Sequence, residues 1–535
     1  MGNRTHILPS STANNLSNKR SEALHIETMF RLPSPLLVWP KGQGFATGIM
    51  DLGGGLHVCQ LSTLDKVWAT HEGGLDNLGA TFFEPSRIPD GFSMLGCYSQ
   101  PNNKPFFGWV LVGKDDGSSG VLRKPLDYTL IWSSESSEIK RDGNGYVWLP
   151  IPPRPFLDKI RCVRADLTDQ CEADSGIWGP GKASYANGFS VYNVRPSIRG
   201  VNALGVSVGT FVAQLGGIAS PLSIACLKNA KSNLSSMPNL MQIDALMRAY
   251  SPWVDFHPDE EFLPSSMRWF FVNGALLYSK GEESKPVPIE PNGSNLSQGG
   301  SNDGAYWLDL PVDAGAKERV YVHVKPMLGA SFTDLAIWMF YPFNGSSKAK
   351  VGIVNVSLGK IGEHVGDWEH VTLRVSNFNG ELQRVYFSEH NGGTWLEAYE
   401  LEFQNGSKTV AYASLHGHAL YSKAGLVLQG SGGIGIRNDT GKSKMMMDIG
   451  GSYSVVAAEY LGSAIIEPAW LKYCRKWGPK ISYDIADEIR KVERALPGPF
   501  KSAFNRFVRG LPNEVLGEEG PMGPNMKNNW TQDEV

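Results

Sequence analysis

The sequence has little cysteine, few charged residues and no surplus of basic residues. Charged residues make up 19% of the 535 positions, and 50 Lys and Arg stand against 53 Asp and Glu. A net charge of −3 provides no basic surface that could neutralise phosphates, so we expect no nucleic-acid partner. The six cysteines are scattered and form no Cys-x-x-Cys pair, which argues against a disulfide scaffold and a structural zinc site.

Apolar segments that could direct the chain to a membrane are also scarce. The start of the sequence has no hydrophobic signal segment, so we expect a cytoplasmic protein. Residues 200–227 are uncharged over 28 positions, but they include five glycines and one proline, and Val206 and Val208 alternate with small residues. This pattern favours strands and turns over a transmembrane span, which leaves peripheral contact as the predicted relation to membranes.

Turn-forming and aromatic residues, by contrast, are abundant. The chain has 60 Gly, 33 Pro, 15 Trp, 18 Tyr and 23 Phe. Many turns combined with many aromatic side chains are typical of short strands in sheets, so we predict a mainly β protein with a few helices. At roughly 100–200 residues per domain, the length corresponds to several domains.

A repeated turn-and-strand pattern indicates a β-prism-like domain at residues 31–227, after a flexible leader at residues 1–30. An aromatic and glycine-rich turn at residues 39–45 precedes an apolar strand at residues 56–61, and a similar arrangement returns at residues 88–112. A β-sandwich whose loops happen to look alike is the alternative interpretation of this half.

The pattern changes after residue 227. A helical stripe of apolar residues occurs at Leu240, Ile243, Leu246 and Met247. It indicates a helical hinge at residues 228–250. Strand-like segments beyond the hinge predict a β-sandwich domain with a candidate metal site at residues 251–480.

The last segment, residues 481–535, has helical periodicity. Apolar residues keep helical spacing over residues 485–496, and a Pro-Gly-Pro break follows. We predict a second, shorter helix at residues 503–508 and an extended tail after it.

The densest cluster of polar side chains lies at residues 362–371 of the predicted sandwich. Apolar and polar residues alternate from Val371 to Val375, which is typical of a half-buried strand whose alternate residues share a face. Asp367 and Glu369 therefore belong to the core-facing side, where two carboxylates require a cation or hydrogen-bond donors. His364 precedes them and can reach the same end of the strand.

Three more histidines follow this cluster. The Asn-Gly pair at residues 379–380 has the sequence of a two-residue hairpin turn, which would place Glu369 opposite His390. Farther along, His416 and His418 add two imidazoles separated by a single residue. Mixed carboxylate and imidazole side chains suit a divalent cation, and oxygen-rich sets favour Mg²⁺ or Ca²⁺. A hydrogen-bonded Asp–His–Glu network that ties loops together is the alternative, and the spacing leaves both open.

The motif Gly-x-His-x-x-Asp-Trp-Glu-His-Val at residues 362–371 resembles the core of the necrosis- and ethylene-inducing-peptide-like proteins. These secreted toxins have a β-sandwich fold and bind sphingolipid head groups beside a divalent metal. The resemblance implies metal ligands at His364, Asp367 and Glu369. It implies a fourth at Asn344, where those proteins carry an aspartate, so the implied metal site has one negative charge fewer. We assign ligand binding to the surrounding histidines, His390, His416 and His418.

A second resemblance covers nearly the whole chain. Phrases such as Gly-Gly-Gly-Leu-His-Val at residues 53–58, Phe-His-Pro-Asp-Glu at residues 256–260 and His-Val-Lys-Pro-Met-Leu-Gly-Ala at residues 323–330 resemble the plant vacuolar protein sorting-associated protein 62 family. This resemblance implies vacuolar trafficking without a defined biochemical activity.

Together these features predict an N-terminal β-prism-like domain and a C-terminal, toxin-like β-sandwich. We predict non-enzymatic recognition of a membrane lipid or glycan head group, assisted by Mg²⁺ or Ca²⁺ and linked to vacuolar protein trafficking. One alternative is a metal-dependent hydrolase with His364 or His390 as the base. The other is a structural adaptor whose polar cluster holds no ligand. The sequence has no Gly-x-Ser-x-Gly motif, so acyl transfer has no support.

Overall fold

The computed structural model describes residues 29–74, 77–154, 156–157, 161–179, 188–215, 225–231, 234–301, 303–310, 319–390, 392–479, 483–511, 516 and 521–535. Residues 1–28 of the predicted leader lie outside these ranges, as does the middle of the uncharged stretch at residues 216–224. Throughout the described ranges the protein is mainly β, with many sheets and few helices, which confirms the predicted fold class.

The first half consists of short strands, as its many turn-forming residues predict. They are β1 (Ile49–Asp51), β2 (Leu56–Leu61), β3 (Leu64–Ala69), β4 (Ala80–Pro85), β5 (Ser93–Met94), β6 (Tyr98–Pro101), β7 (Val110–Asp115), β8 (Leu122–Arg123), β9 (Asp127–Ser133), β10 (Tyr146–Ile151), β11 (Phe156–Leu157), β12 (Cys162–Arg164), β13 (Thr168–Trp178), β14 (Phe189–Pro196), β15 (Gly205–Val206), β16 (Phe211–Leu215) and β17 (Ala225–Lys228). Their sheets have the orders β1-β2-β7-β5, β3-β4-β6, β10-β9, β11-β12-β8 and β15-β17-β13-β14-β16.

Two hydrophobic cores lie among these sheets. One contains Val58 of β2, Val163 of β12 and Leu227 of β17, so that three sheets enclose it. The other is aromatic and joins β4, β9 and β14, with the rings of Trp132 and Phe189 stacked 4.8 Å apart. Three sheets thus surround one core of the first half, and the strands of the two repeats, β2 and β7, pair in one of them.

The second half contains all four α-helices of the described chain and longer strands. The helices are α1 (Leu240–Tyr250), α2 (Met267–Val272), α3 (Ile485–Ala495) and α4 (Gly498–Val508). The strands are β18 (Trp253–Phe256), β19 (Leu276–Ser279), β20 (Val287–Pro288), β21 (Tyr306–Asp309), β22 (Val320–Met327), β23 (Phe332–Asn344), β24 (Lys348–Val351), β25 (Val354–Ser357), β26 (His364–Ser376), β27 (Leu382–Glu389), β28 (Gly392–Glu397), β29 (Phe403–Gln404), β30 (Lys408–Ala413), β31 (Leu420–Tyr421), β32 (Gly425–Ser431), β33 (Ile434–Thr440), β34 (Met446–Asp448) and β35 (Tyr453–Ala457).

Two sheets of this half face each other as a sandwich. A six-stranded sheet, β28-β27-β26-β23-β22-β35, packs its apolar side chains against a sheet of β29-β30-β18-β34, with β31 paired to β30. Ile337 and Val371 from the first sheet share a core with Val254 and Ala411 from the second. Burial of β-branched and aliphatic side chains between the sheets is the main stabilising contribution.

An aromatic cluster covers the opposite face of the six-stranded sheet. Trp338, Phe340 and Trp368 of the sheet pack there with Trp470 and Trp477, and the rings of Trp368 and Trp470 are stacked 5.6 Å apart. Because both faces of the sheet are covered, β22 and β23 are buried along most of their length. A strand with two buried faces has a continuous apolar sequence and little alternation, as β23 does.

The helices follow their local signals with two differences. Asn239 caps α1 in a capping box with Gln242, and Ile243 is fully buried, whereas Leu240 at the start of the predicted stripe is 41% exposed. Helix α4 begins at Gly498, earlier than the predicted residue 503. Pro499 lies in its first turn, where the missing N–H has no helical partner, so the proline starts the helix and does not break it.

Contacts join the two halves on both sides of the predicted hinge. Leu32 and Phe45, from the first residues described, lie in the core of the sandwich, and Phe378 of the second half lies in the core of the first. The domain limits therefore stay a prediction. In the described part of the chain, no helix combines the length and the apolar character that crossing a membrane requires.

Candidate functional site

The seven predicted site residues come from four chain segments at one end of the sandwich. Asn344 ends β23, and β26 begins with His364 and continues through Asp367 and Glu369. His390 follows β27, while His416 and His418 lie in the turn between β30 and β31. Strand pairing fixes the relative positions of the site residues on β23 and β26, because Asn344 is opposite His364 and Tyr341 is opposite Asp367.

The predicted faces of β26 are confirmed. Val371, Leu373 and Val375 lie in the core between the two sheets, while Trp368 lies in the aromatic cluster on the other side. Tyr341, the partner of Asp367, also belongs to the core between the sheets. The carboxylates of β26 therefore lie on the core side, at one end of the sandwich. Buried carboxylates are unfavourable unless a positive charge or hydrogen-bond donors compensate them, so the site needs such a partner.

The predicted hairpin register is wrong. Four residues, 377–380, form the loop. The carbonyl of Ser376 accepts a hydrogen bond from the N–H of Gly380, and the N–H of Ser376 donates to the carbonyl of Glu381. A β-bulge then places Gln383 as an extra residue, and beyond it Val371 pairs with Phe387. His390 is thus not opposite Glu369. The hydroxyl of Ser388 donates a hydrogen bond to Glu369 instead.

The buried imidazole of His418 lies between two carboxylates. Its Nδ1 is 3.5 Å from Oδ2 of Asp367, and its Nε2 is 3.7 Å from Oε1 of Glu260. These distances are long for hydrogen bonds, so we describe both contacts as ion pairs. Nε2 also donates to the carbonyl of Phe262 at 3.1 Å, and the ring stacks on Tyr341 with centroids 3.8 Å apart.

Charge and burial oppose each other at His418. Burial lowers the pKa of an imidazole, but the contacts with Asp367 and Glu260 outweigh it and raise the pKa of His418 to about 9. The same pairing holds the pKa of Asp367 and of Glu260 below their ordinary values, against burial, which raises them. His418 is therefore an imidazolium at neutral pH and supplies a cation inside the cluster.

Glu260 is the site residue that the sequence interpretation missed. Its carboxylate accepts the backbone N–H of His416 at 2.7 Å and that of Phe262 at 2.9 Å, so it also fixes both loops. Glu260 belongs to the acidic loop at residues 257–261, whose histidine and clustered carboxylates were the available signal. Its pairing with His418 across 158 positions depends on tertiary structure.

Three half-buried histidines surround this ion pair, and we call them the histidine rim: His364, His390 and His416. His364 donates through Nδ1 to the carbonyl of Gly366 at 2.9 Å, and His416 through Nδ1 to that of Ser346 at 3.1 Å. His390 contacts Oδ1 of Asn438 through Nε2 at 3.2 Å. Each ring is held by one nitrogen.

The arrangement of the site residues fits a divalent cation only in part. Within the described ranges, no three His, Cys, Asp or Glu side chains converge on one point. One observation favours a cation: Oδ1 of Asn344 is buried, and no donor of the described chain hydrogen-bonds it. Carboxylate and amide oxygens suit a hydrated Mg²⁺ or Ca²⁺ that keeps most of its water. Cation binding stays a prediction, with His364, Asp367, Glu369 and Asn344 as the predicted ligands.

Comparison with known proteins gives a family match along the chain. The profile of a family described as vacuolar protein sorting-associated protein 62 matches residues 26–534. A Saccharomyces cerevisiae protein named vacuolar protein sorting-associated protein 62 is 38% identical over 74 residues, which are 14% of this chain and 14% of the yeast protein. The alignment thus covers a small part of that relative.

Solved structures give weaker matches. GNIP1Aa from Chromobacterium piscinae is 18% identical, with 36% of this chain and 40% of that chain covered and a TM-score of 0.26. NLPPya in complex with glucosamine is 15% identical, covering 34% and 66%, with a TM-score of 0.20. The non-toxic HaNLP3 protein is 13% identical, covering 34% and 68%, with a TM-score of 0.19. Values this low assign neither the fold nor the activity of those proteins to this chain.

Proposed function

Because the chain belongs to the vacuolar protein sorting-associated protein 62 family, which implies a role linked to vacuolar sorting, we propose that it recognises the polar head group of a membrane lipid or glycan. Recognition takes place at the histidine rim and involves no reaction. The network of Glu260, His418 and Asp367 holds the loops that carry the rim.

The observation that carries this proposal is the left-handed backbone conformation of three histidines. His390, His416 and His418 are three of the ten non-glycine residues with positive φ in the described chain. A left-handed residue with a side chain costs about 1–2 kcal/mol, and such strain concentrates at ligand sites. Two of the three, His390 and His416, belong to the rim, and their strained backbone supports a binding role for those two rings. The ring of His418 is buried in the ion pair.

The hydrogen bonds of the rim indicate which head groups it accepts. Nδ1 of His364 and of His416 donates to a carbonyl, so in the neutral ring Nε2 is an acceptor. Neutral acceptors at the rim, with the carboxylate of Asp367 interacting with His364, favour hydroxyl or ammonium donors and disfavour bare phosphates. We therefore propose a head group rich in hydroxyl or ammonium groups, such as that of a glycosphingolipid.

A divalent cation is the secondary proposal, and it depends on the buried Oδ1 of Asn344, to which the described chain offers no hydrogen-bond donor. An ion held by the predicted ligands His364, Asp367, Glu369 and Asn344 would offset the charge of the two carboxylates and attract hydroxyl oxygens of the ligand. Removal of divalent ions should abolish binding if a cation takes part, and should leave binding unchanged if the histidines alone recognise the head group.

Vesicle flotation tests the proposal. The full chain is mixed with phosphatidylcholine vesicles with and without a glycosphingolipid, in the presence of Ca²⁺ or of a chelator. We expect flotation with the glycosphingolipid vesicles and its loss in His416→Asn, since asparagine tolerates positive φ but lacks the ring. His71→Asn, which removes an exposed histidine from the first half, is the matched control. Equal flotation of all proteins, or none with any vesicle, would disprove recognition at the rim, and turnover of the lipid would favour the hydrolase.

A further inference from the structure

A cleft of about 650 Å³ lies between the first half and the edge of the six-stranded sheet. One wall comes from β6, β13 and β14, and the other from β27, β28 and the segment that follows them. None of the seven predicted site residues lines it. Its volume is in the range of small-molecule sites, which is roughly 300–1,000 Å³.

The charges that line the cleft are balanced. Five cationic and five anionic side chains face it: Lys104, Arg195, Arg199, Arg374 and Arg384, with Asp174, Glu397, Glu400, Asp533 and Glu534. The charged side chains described around the cleft therefore cancel, and they create no strong field that would attract a phosphate or a metal ion from solution.

The arginines of the cleft are already paired. Arg195 contacts Asp174 at 2.9 Å, and Arg384 contacts Glu397 at 2.7 Å. At these pairs, a bare anion would have to displace a carboxylate from a guanidinium, and a cation would have to displace a guanidinium from a carboxylate. A guanidinium has five N–H donors and a carboxylate about four acceptor positions, so a paired arginine can still bind a neutral hydroxyl group. Vicinal hydroxyls can donate to one partner and accept from the other without breaking the pair.

Aromatic rings provide apolar surface beside these pairs. Trp395 and Tyr399 line one side and Tyr98 and Trp109 the other, all of them half-buried. The guanidinium of Arg374 lies 4.4 Å from the ring centre of Trp395 and holds that ring in place. Fixed aromatic faces next to fixed, paired charges suit a ligand with an apolar C–H face and a hydroxyl edge.

We propose that this cleft is a binding site for a neutral, polyhydroxylated ligand of the sugar class. The ring of Trp395 contacts the C–H face of the sugar, and the Arg384–Glu397 pair receives its hydroxyls. The site is separate from the histidine rim and does not depend on it.

Saturation-transfer NMR on the full chain tests this site. The probes are glucose, mannose, galactose and N-acetylglucosamine at millimolar concentration, with glucuronate and inorganic phosphate as charged comparisons. We expect transfer to at least one neutral sugar. Phosphate has no carbon-bound protons to observe, so it is added as a competitor and should not reduce the sugar signal. Trp395→Ala should weaken binding by at least about tenfold, as loss of a central aromatic anchor does. Arg384→Gln, which keeps length and polarity, should weaken it as well.

Matched variants make the outcome specific. Trp148→Ala removes a tryptophan of β10 that is 53% exposed and lies outside the cleft, so it should leave sugar binding unchanged. His416→Asn should also bind sugar normally, which separates this site from the rim. Thermal unfolding checks that Arg384→Gln is folded. No transfer to any neutral sugar, preferential binding of phosphate, or equal binding by the wild type, Trp395→Ala and Arg384→Gln would overturn the proposal.

Discussion

Replacing His418 with asparagine tests the electrostatic account of the site in most detail. Asparagine tolerates the φ of 54° at this position, so the change removes the ring and its charge but keeps the backbone. Asp367 and Glu260 then lose their shared counter-charge. Breaking a buried ion pair by removing one partner costs about 3–5 kcal/mol.

The pKa of His418 gives an independent magnitude. A rise from 6.5 to about 9 on folding corresponds to about 3 kcal/mol. Because the pKa is higher in the folded state, this stabilisation is fully present below pH 6.5 and is lost as the pH rises through 9. We therefore expect His418→Asn to lower the free energy of unfolding by about 3 kcal/mol at neutral pH, and by much less well above pH 9.

Thermal and urea unfolding, followed by tryptophan fluorescence, measure this difference. For a domain of the size of the sandwich, about 3 kcal/mol corresponds to roughly 6–12 °C in Tm. His416→Asn is the matched control, because His416 also has positive φ, lies in the same turn and forms no ion pair with a carboxylate of the described residues. A loss below about 1 kcal/mol, or one that is independent of pH, would refute the imidazolium assignment.

Three further predictions concern the cap of α1, the cation and the domain boundary. Asn239→Ala should cost about 1 kcal/mol in thermal unfolding because it removes the capping box, and an unchanged Tm would contradict this. In calorimetry with Ca²⁺, Asn344→Asp should strengthen binding and Asp367→Ala should abolish it, whereas a wild type that binds no Ca²⁺ at millimolar concentration leaves the ion-pair network as the whole account. Limited proteolysis should give a stable fragment that begins between residues 220 and 250, and residues 29–48 should stay bound to it because Leu32 and Phe45 lie in its core; cleavage scattered through the sandwich would disprove the boundary.

The strands of the sandwich and their faces were predictable from the sequence. The alternation in β26 places Val371 and Asp367 on the core side with no knowledge of the partner strand, because the period of a strand is two residues. The mainly β class followed in the same way from the abundance of turns and aromatic residues. Strand faces and fold class depend on patterns among neighbouring residues, which the sequence shows directly.

The hairpin after β26 was not predictable because distant residues determine its length. Backbone N–H groups of Ala46 and Gly48 donate to the carbonyls of Asn377 and Phe378, and the indole of Trp39 donates to that of Asn379. Phe378 is buried in the first half. These contacts hold a four-residue loop where the local Asn-Gly pair favours a two-residue turn.

The centre of the site was only partly predictable. The sequence indicated that the carboxylates of β26 need a positive partner and that His418 lies among the candidates. It could not indicate that Glu260 completes the pair, because that contact joins two loops of one sheet whose strands lie far apart in the sequence. The need for a counter-charge was visible locally, while its identity depends on how the loops pack.

Histidine-ring NMR tests the central claim most directly. The full chain, labelled only on its histidine rings, is titrated with lipid nanodiscs that contain or lack a glycosphingolipid. Recognition at the rim predicts that resonances of His364, His390 and His416 shift or broaden with the glycosphingolipid, while those of His71 and the buried His323 do not. Unchanged rim resonances alongside nanodisc binding would contradict the account, because the protein would then be binding through another surface.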